Sequence, residues 1–393
     1  MPIPTQGNRL HSLARDAPTR DASVTTQLRV GLVGAGLIGQ AAHAPHLADD
    51  RERWDFVVIA DPSRAVREAV AARHRVPNTC STIEEALELG LDAVVIAVPD
   101  IAHRDSVLAA LAAGVHVLVE KPLALSVAEC DEILAARGDR IVQVGYMKLH
   151  DPATERFVDL LRDGPAELIY LSVEVNDPDQ LPFVDHLEIV TAGDVDPELI
   201  ASSRTRRDEA VRVALGSDPR TSDARAFGAF LDSMVHDVSL AHYALRALGT
   251  EPPLPLADAA YWDDGRGVSL DWILPSDGRA HLEHHELPGV SDYRERVTAY
   301  RRDRILELTF PSPYLQHHPT RLVERRTDGG VTSLRETEMR VSYEEAFRNE
   351  LRAFHDSITT GAPVRSSVEA ARDDLVALID AFRLAASKRG RRD

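Results

Sequence analysis

Cysteine is nearly absent. Cys80 and Cys130 are the only two in 393 residues, and neither has a His or Cys at ligand spacing. That argues against a disulfide framework or a zinc site, so no metal is expected, and it fits a reducing, cytoplasmic setting. Aromatic residues make up only 5% of the chain and do not interleave with basic ones. Positive charge is in deficit too: 45 Lys and Arg face 63 Asp and Glu, a net charge of −18. Both shortages disfavour nucleic acid and anionic lipid as partners. No segment reaches the roughly 18–20 apolar residues of a membrane helix. The opening MPIPTQGNRLHSLARDAPTR lacks the apolar stretch of a secretory signal and reads as a flexible tail over 1–27. What remains is ordinary globular composition, 44% apolar and 27% charged, on a chain long enough for two domains.

From Leu28 the pattern alternates between strands and helices. LRVGLV, WDFVVIA, DAVVIAV, HVLVE and RIVQVG read as strands, with helices over 37–48, 63–73, 82–89, 101–113 and 126–137. The strands are near-continuous apolar runs, as a parallel sheet covered on both faces requires. An open, doubly wound Rossmann sheet is therefore expected over 28–146. Beyond it the character changes to an α+β domain over 147–393. A helix (152–162) and a strand (168–175) lead into a polar stretch, 176–226, with a helix at 197–215. A helix over 227–248 precedes short alternating strands, GVSLDWIL, RAHLEHHEL, RERVTAYR, RILELTF and TRLVERR, with a turn at Asp328-Gly329-Gly330. These predict an open, mainly antiparallel sheet with one wet face. Helices over 342–360 and 367–388 end the chain and are placed to pack back on the first domain.

The stretch GLVGAGLIGQ carries Gly34-Ala35-Gly36-Leu37-Ile38-Gly39 between a strand and a helix, and Asp61 follows 22 residues after the third glycine. Those contexts make a common glycine pattern into a dinucleotide fingerprint. Gly34 permits the tight turn, Gly36 lets the pyrophosphate approach the backbone, and Gly39 allows close helix packing. Asp61 can accept from the adenosine ribose and repels a 2′-phosphate, which favours NAD. The following Pro62-Ser63-Arg64 continues the nucleotide-side turn, and Arg64 is the residue that could admit NADP.

In such sheets ligands bind beyond the carboxyl ends of the strands. Val98-Pro99-Asp100, with His103 after it, ends one strand, and Glu120-Lys121-Pro122 ends the next. Lys121 gains a task there: its ammonium can bind a substrate hydroxyl and ease loss of the proton. Glu120 contacts a ribose or orients the lysine. In the helix FGAFLDSMVHDVSLAHYALRAL, Asp232, His236, Ser239 and Tyr243 share one face by spacing. A carboxylate at that distance can orient the imidazole, making His236 a competent acid or base near neutral pH. Asp237 points about 100° away and is the weaker candidate. Neighbouring histidines in strands, His284 with His285 and His317 with His318, point to opposite faces and make no metal site by themselves.

The set GLVGAGLIG, AD at 60–61, VPDIAH, ALAAGVHVLVEKPLA and QVGYMKLHDPA resembles the Gfo/Idh/MocA oxidoreductases, which include glucose–fructose oxidoreductase and inositol dehydrogenase. The resemblance is close over 28–175 and looser over 227–250 and 342–388. It implies that Lys121 binds cofactor ribose or substrate, that an Asp232-x-x-x-His236 helix supplies catalytic groups beside it, and that Tyr146 and Lys148 reach the substrate pocket, with His150 either there or on the surface. It further implies a sugar-like substrate and a homo-oligomer formed through the open sheet. The motif's glycines are replaced by Ala229 and Met234, and the segment 176–226 is longer than usual, which leaves the substrate open. Hydride transfer with NAD or NADP, at a secondary alcohol or ketone of a sugar or cyclitol, is the expected activity. An NAD-retaining, net non-redox sugar reaction and a non-catalytic dinucleotide-binding regulator are the alternatives.

Overall fold

The computed structural model describes residues 26–215, 226–228, 230–327 and 333–389. Most of the expected N-terminal tail, Ala229 and the Asp328-Gly329-Gly330 turn lie outside the described residues. Six strands form the first sheet: β1 (Leu28–Val33), β2 (Trp54–Ala60), β3 (Asn78–Cys80), β4 (Ala93–Ile96), β5 (His116–Glu120) and β6 (Val142–Gly145). All pair in parallel, in the order β3-β2-β1-β4-β5-β6. The order reverses between β1 and β4, which opens a crevice at their carboxyl ends. β4 is buried at every position, and β5 at all but its first, because helices cover both faces. Local signals start those helices. Ser63 caps Arg64–His74, and Ser126 with Glu129 forms a capping box on Val127–Ala136.

The second sheet has eight strands. β7 (Leu168–Pro178) is followed by β8 (Leu256–Trp262), β9 (Gly267–Ile273), β10 (Arg279–Leu287), β11 (Arg294–Arg301), β12 (Arg304–Phe310), β13 (Arg321–Thr327) and β14 (Leu334–Arg340). The order is β14-β13-β12-β11-β7-β10-β9-β8. Only the β7–β10 pair is parallel. Ala280, Leu282, Val297, Ala299, Leu306 and Leu308 line its buried face, and the alternation along each strand sends charges outward. There they pair across strands, as Arg325 does with Glu307 and Glu336.

The helix Val235–Arg246 lies on the buried face and is locked to the last helix, Val368–Arg389, by a buried His242–Asp374 hydrogen bond of 2.7 Å. Ala346–Thr360 packs on the first sheet's flank, where Phe354 stacks on Trp54 at 6.0 Å. Gln143 of β6 donates to the Glu350 carbonyl and bridges to Ser367. The chain's end is thus built into the first domain.

Three strands were not legible beforehand. β3 is a three-residue polar edge, β14 has no apolar alternation, and β8 is made largely of small residues. Two helices also open differently from expectation. The turns Gly39–His43 and Phe230–Met234 are π-type before α-helix resumes. Among the described residues no helix is long and apolar enough to cross a membrane.

Candidate active site

The glycine loop is fixed by three separate constraints. Gly34 has φ +90°, and a Cβ there would sit 2.4 Å from the Ala97 carbonyl oxygen at the end of β4. Only glycine turns there without a clash. A Cβ on Gly39 would sit 2.5 Å from the Gly34 oxygen, whereas one on Gly36 would meet nothing within 4 Å. Space above Gly36 is therefore not used by the protein's own packing. It opens on a cleft of 710 Å³ lined by Gly34, Gly36, Leu37 and Ile38 at one end and by Lys121 and Asp232 at the other.

Asp61 follows β2 at the side of this cleft. Its two oxygens accept from the Ala35 N–H at 2.9 Å and the Ser63 N–H at 2.8 Å. A carboxylate has about four acceptor positions, so two remain for a ribose. Pro62 also lines the cleft. Arg64 departs from the reading that would let it reach a phosphate: it is exposed and pairs with Glu68 one turn along its helix, at 2.7 Å. The polar segment after β7 crosses over the cleft, where Ala192, Val195, Ile200 and Arg207 line it. Gln40 anchors the crossing by bonding both the N–H and the carbonyl of Val190, each at 2.9 Å.

Val98, Pro99 and Asp100 line the cleft beyond β4. Asp100 caps its own turn through Ile101 and accepts from Arg207 at 2.7 Å. His103 is buried, with Nδ1 2.7 Å from the Pro122 oxygen and Nε2 2.9 Å from the Val98 oxygen, so it ties the β4 and β5 ends together. Glu120 is buried and bonds His43 of the glycine-loop helix at 2.7 Å. Burial would raise its carboxyl, but His43 and the Lys121 charge outweigh that and hold it below the usual range.

Lys121 donates to the main-chain oxygen of Asp232 at 2.5 Å, which puts its ammonium against the turn that leads into the helix carrying His236. Burial lowers the lysine's pKa against the pull of Glu120 and Asp232, and Lys148 adds to the lowering. His236 is pushed well below its ordinary value, first by burial and then by the charges of Lys121 and Lys148. It is therefore neutral at physiological pH, the form that accepts a proton. Its Nδ1 is buried without a partner.

The expected Asp232–His236 dyad is corrected by the structure. Asp232 is exposed, and its carboxylate is taken by Arg207 at 2.7 Å. The π-type turn Phe230–Met234 breaks the α-helical register between the two residues, and a guanidinium fork outcompetes an imidazole for a carboxylate. Ser239, from the same expected stripe, is buried. Tyr146 also differs from expectation. It is 2% exposed, and its ring stands edge-on to that of His236 with the centroids 6.0 Å apart. His150 is fully buried, and burial drives its pKa down to about 3.

Lys148 enters a buried polar cluster that was not anticipated. It bonds Glu295 at 2.5 Å and lies 3.6 Å from Asp237, which in turn bonds His284 at 3.1 Å. Burial alone would lower the Lys148 pKa, but Glu295 and Asp237 raise it, so the ammonium stays charged. Register explains the convergence: Glu295 of β11 and His284 of β10 are both opposite Val175 of β7, so all three share one face. The signal was present in sequence. Glu295 has the same parity as the core residues Val297 and Ala299, and His284 the same as Ala280 and Leu282. Asp237 falls on the stripe of Leu240, Ala241 and Ala244, the buried side of its helix. Arg207 and Gln40 gave no comparable signal.

Strand order, glycine loop and strand-end residues together define a dinucleotide-binding Rossmann domain. Residues 28–146 match the oxidoreductase family with an NAD-binding Rossmann fold, Gfo/Idh/MocA. That match takes in the whole of the first sheet, β1 to β6. An inositol 2-dehydrogenase of Saccharopolyspora erythraea is 38% identical over 140 residues, which span 34% of this chain and 40% of the relative. The NAD(+)-dependent scyllo-inositol 2-dehydrogenase of Bacillus subtilis is 27% identical over 225 residues, 56% of this chain and 55% of its own length. The similarity thus spans about half or less of these relatives. Among solved structures, the UDP-N-acetylglucosamine 3-dehydrogenase of Acidithiobacillus ferrooxidans superposes with TM-score 0.66 over 92% of this chain and 98% of its own, at 20% identity. A 3-ketoreductase from Actinomadura kijaniata, solved with NADP, gives 0.65 over 90% and 96%, at 18% identity. At such identities these two show a common fold.

Proposed function

We propose that this protein is an NAD(P)-dependent oxidoreductase that moves hydride between nicotinamide and a secondary alcohol or ketone of a cyclitol or sugar. One spatial relation carries the reading. The cleft that begins at the glycine loop ends at Lys121, whose ammonium is bonded to the turn leading into a neutral, unpartnered His236. The residues fit the cofactor: open space above Gly36 suits a pyrophosphate, and Asp61 retains acceptor positions for a ribose. A bound nicotinamide supplies the hydride acceptor or donor. In the oxidative direction His236 takes the hydroxyl proton and Lys121 stabilises the oxygen as charge builds on it. Lys148 adds a second positive charge near His236, held in place by Glu295 and Asp237. The names of the inositol and sugar dehydrogenases in the comparison support polyhydroxylated rings as substrates.

The test is a panel of inositols and sugars with NAD and NADP, read by nicotinamide absorbance and by ligand-induced thermal stabilisation. At least one cyclitol or sugar is expected both to raise the melting temperature and to reduce the cofactor. Dinucleotide binding with no change in nicotinamide absorbance for any such ring would sink the proposal.

A further inference from the structure

The turn after β2 presents four donors to the outside of the adenosine ribose site: the Ser63 hydroxyl, the Ala65 N–H, Arg64 and Arg67. A 2′-phosphate, one bond beyond the ribose oxygen, would need donors of this kind, an arginine or the main-chain N–H groups at the helix start. All four are engaged. Ser63 donates its hydroxyl to Asp194, and the Ala65 N–H donates to the other Asp194 oxygen at 3.1 Å. Arg64 pairs with Glu68, and Arg67 donates to the carbonyls of Asp61 and Pro62. Asp194 comes from far along the chain, on the crossing segment that Gln40 holds at Val190 and Arg73 holds at the Glu188 carbonyl. The Ser63 and Ala65 hydrogen bonds keep its carboxyl below the usual range, so it is ionised.

We propose that Asp194 is a specificity-determining residue that selects NAD over NADP by holding its carboxylate among the donors a 2′-phosphate needs; the proposal rests on the dinucleotide reading of the cleft. A phosphate would have to displace one carboxylate and lie beside a second, Asp61. A 2′-hydroxyl is itself a donor and can serve the free positions on Asp61 without disturbing Asp194.

The full chain, Asp194→Asn, Asp194→Ser and Asp61→Ser are titrated with NADH and NADPH by fluorescence, with no substrate present. The wild type is expected to bind NADH more tightly. Both Asp194 variants are expected to narrow that preference by about tenfold or more through tighter NADPH binding, with NADH affinity held within about threefold. Asp61→Ser is expected to weaken NADH instead, which separates the two carboxylates. An unchanged NADH to NADPH ratio in both Asp194 variants, or equal loss of both dinucleotides, would reduce Asp194 to a helix cap and overturn the proposal. A wild type that binds both equally also overturns it. If the wild type binds neither, the reading of the cleft itself fails and takes this proposal with it.

Discussion

Asp232 gives its carboxylate to Arg207 at 2.7 Å and none of it to His236, four residues along the same helix. Arg207 also holds Asp100 at the end of β4, so one guanidinium ties the histidine helix to the cleft. The imidazole is therefore tuned by burial and by two ammoniums rather than by a carboxylate partner. His236→Ala is expected to lower kcat by roughly 10²–10⁴-fold. Asp232→Asn, which loses only the ion pair with Arg207, is expected to lower it by less than about tenfold. Steady-state kinetics on the two variants decides the matter. Equal losses would restore the aspartate as the partner that orients the histidine.

The pH profile carries a sign. Oxidation needs His236 neutral, and its pKa is depressed, so the acid limb of kcat is expected below the ordinary histidine range. Removing one ammonium raises that pKa. Lys121→Met is therefore expected to lower kcat and to move the acid limb upward. A limb that stays put, or moves down, would separate the lysine electrostatically from the histidine.

Gly36 and Gly34 differ in what a methyl group would meet. Gly36→Ala is expected to leave stability within about 0.5 kcal/mol of wild type, since the added Cβ meets nothing. NADH affinity is expected to fall by about tenfold or more, because that space is where a pyrophosphate comes close. Gly34→Ala, which drives a Cβ into the Ala97 carbonyl, is expected to destabilise the fold outright. Urea unfolding alongside NADH titration distinguishes the two effects. Full NADH affinity in Gly36→Ala would move the cofactor elsewhere.

Lys148 and Glu295 are both buried and bonded to each other. Lys148→Met leaves Glu295 and Asp237 without their cation and is expected to cost about 3–5 kcal/mol. The double variant Lys148→Met with Glu295→Gln is expected to cost less than the sum of the two single changes, because it removes both charges together. Denaturant unfolding of the four-member cycle measures this. Additive losses would show that the two charges do not depend on one another.

Legibility followed periodicity. The first sheet could be read because its strands are continuous apolar runs between capped helices, and because the glycine spacing has only a few physical solutions. Lys121 could be read because a charged group ending a buried strand needs a role. The Asp232–His236 relation was misread because spacing alone cannot reveal a π-type turn or a guanidinium arriving from the Pro197–Leu215 helix. Glu295 and His284 were visible as charges on the inward parity of their strands, but their common partner depends on register with β7, which no local pattern encodes. Asp194 meets Ser63 across more than a hundred residues of chain, through a polar segment with little periodicity.

β7 sits in the middle of its sheet, yet both its neighbours, β10 and β11, are made more than a hundred residues later. The first sheet has all its strands by Gly145 and can begin to assemble while the ribosome is still translating. The second has a centre with no neighbour until Leu287 has emerged and only one until Arg301, and closing so long a loop is slow. During that interval β7 is an unpaired strand with an apolar face, the kind of surface that chaperones shield.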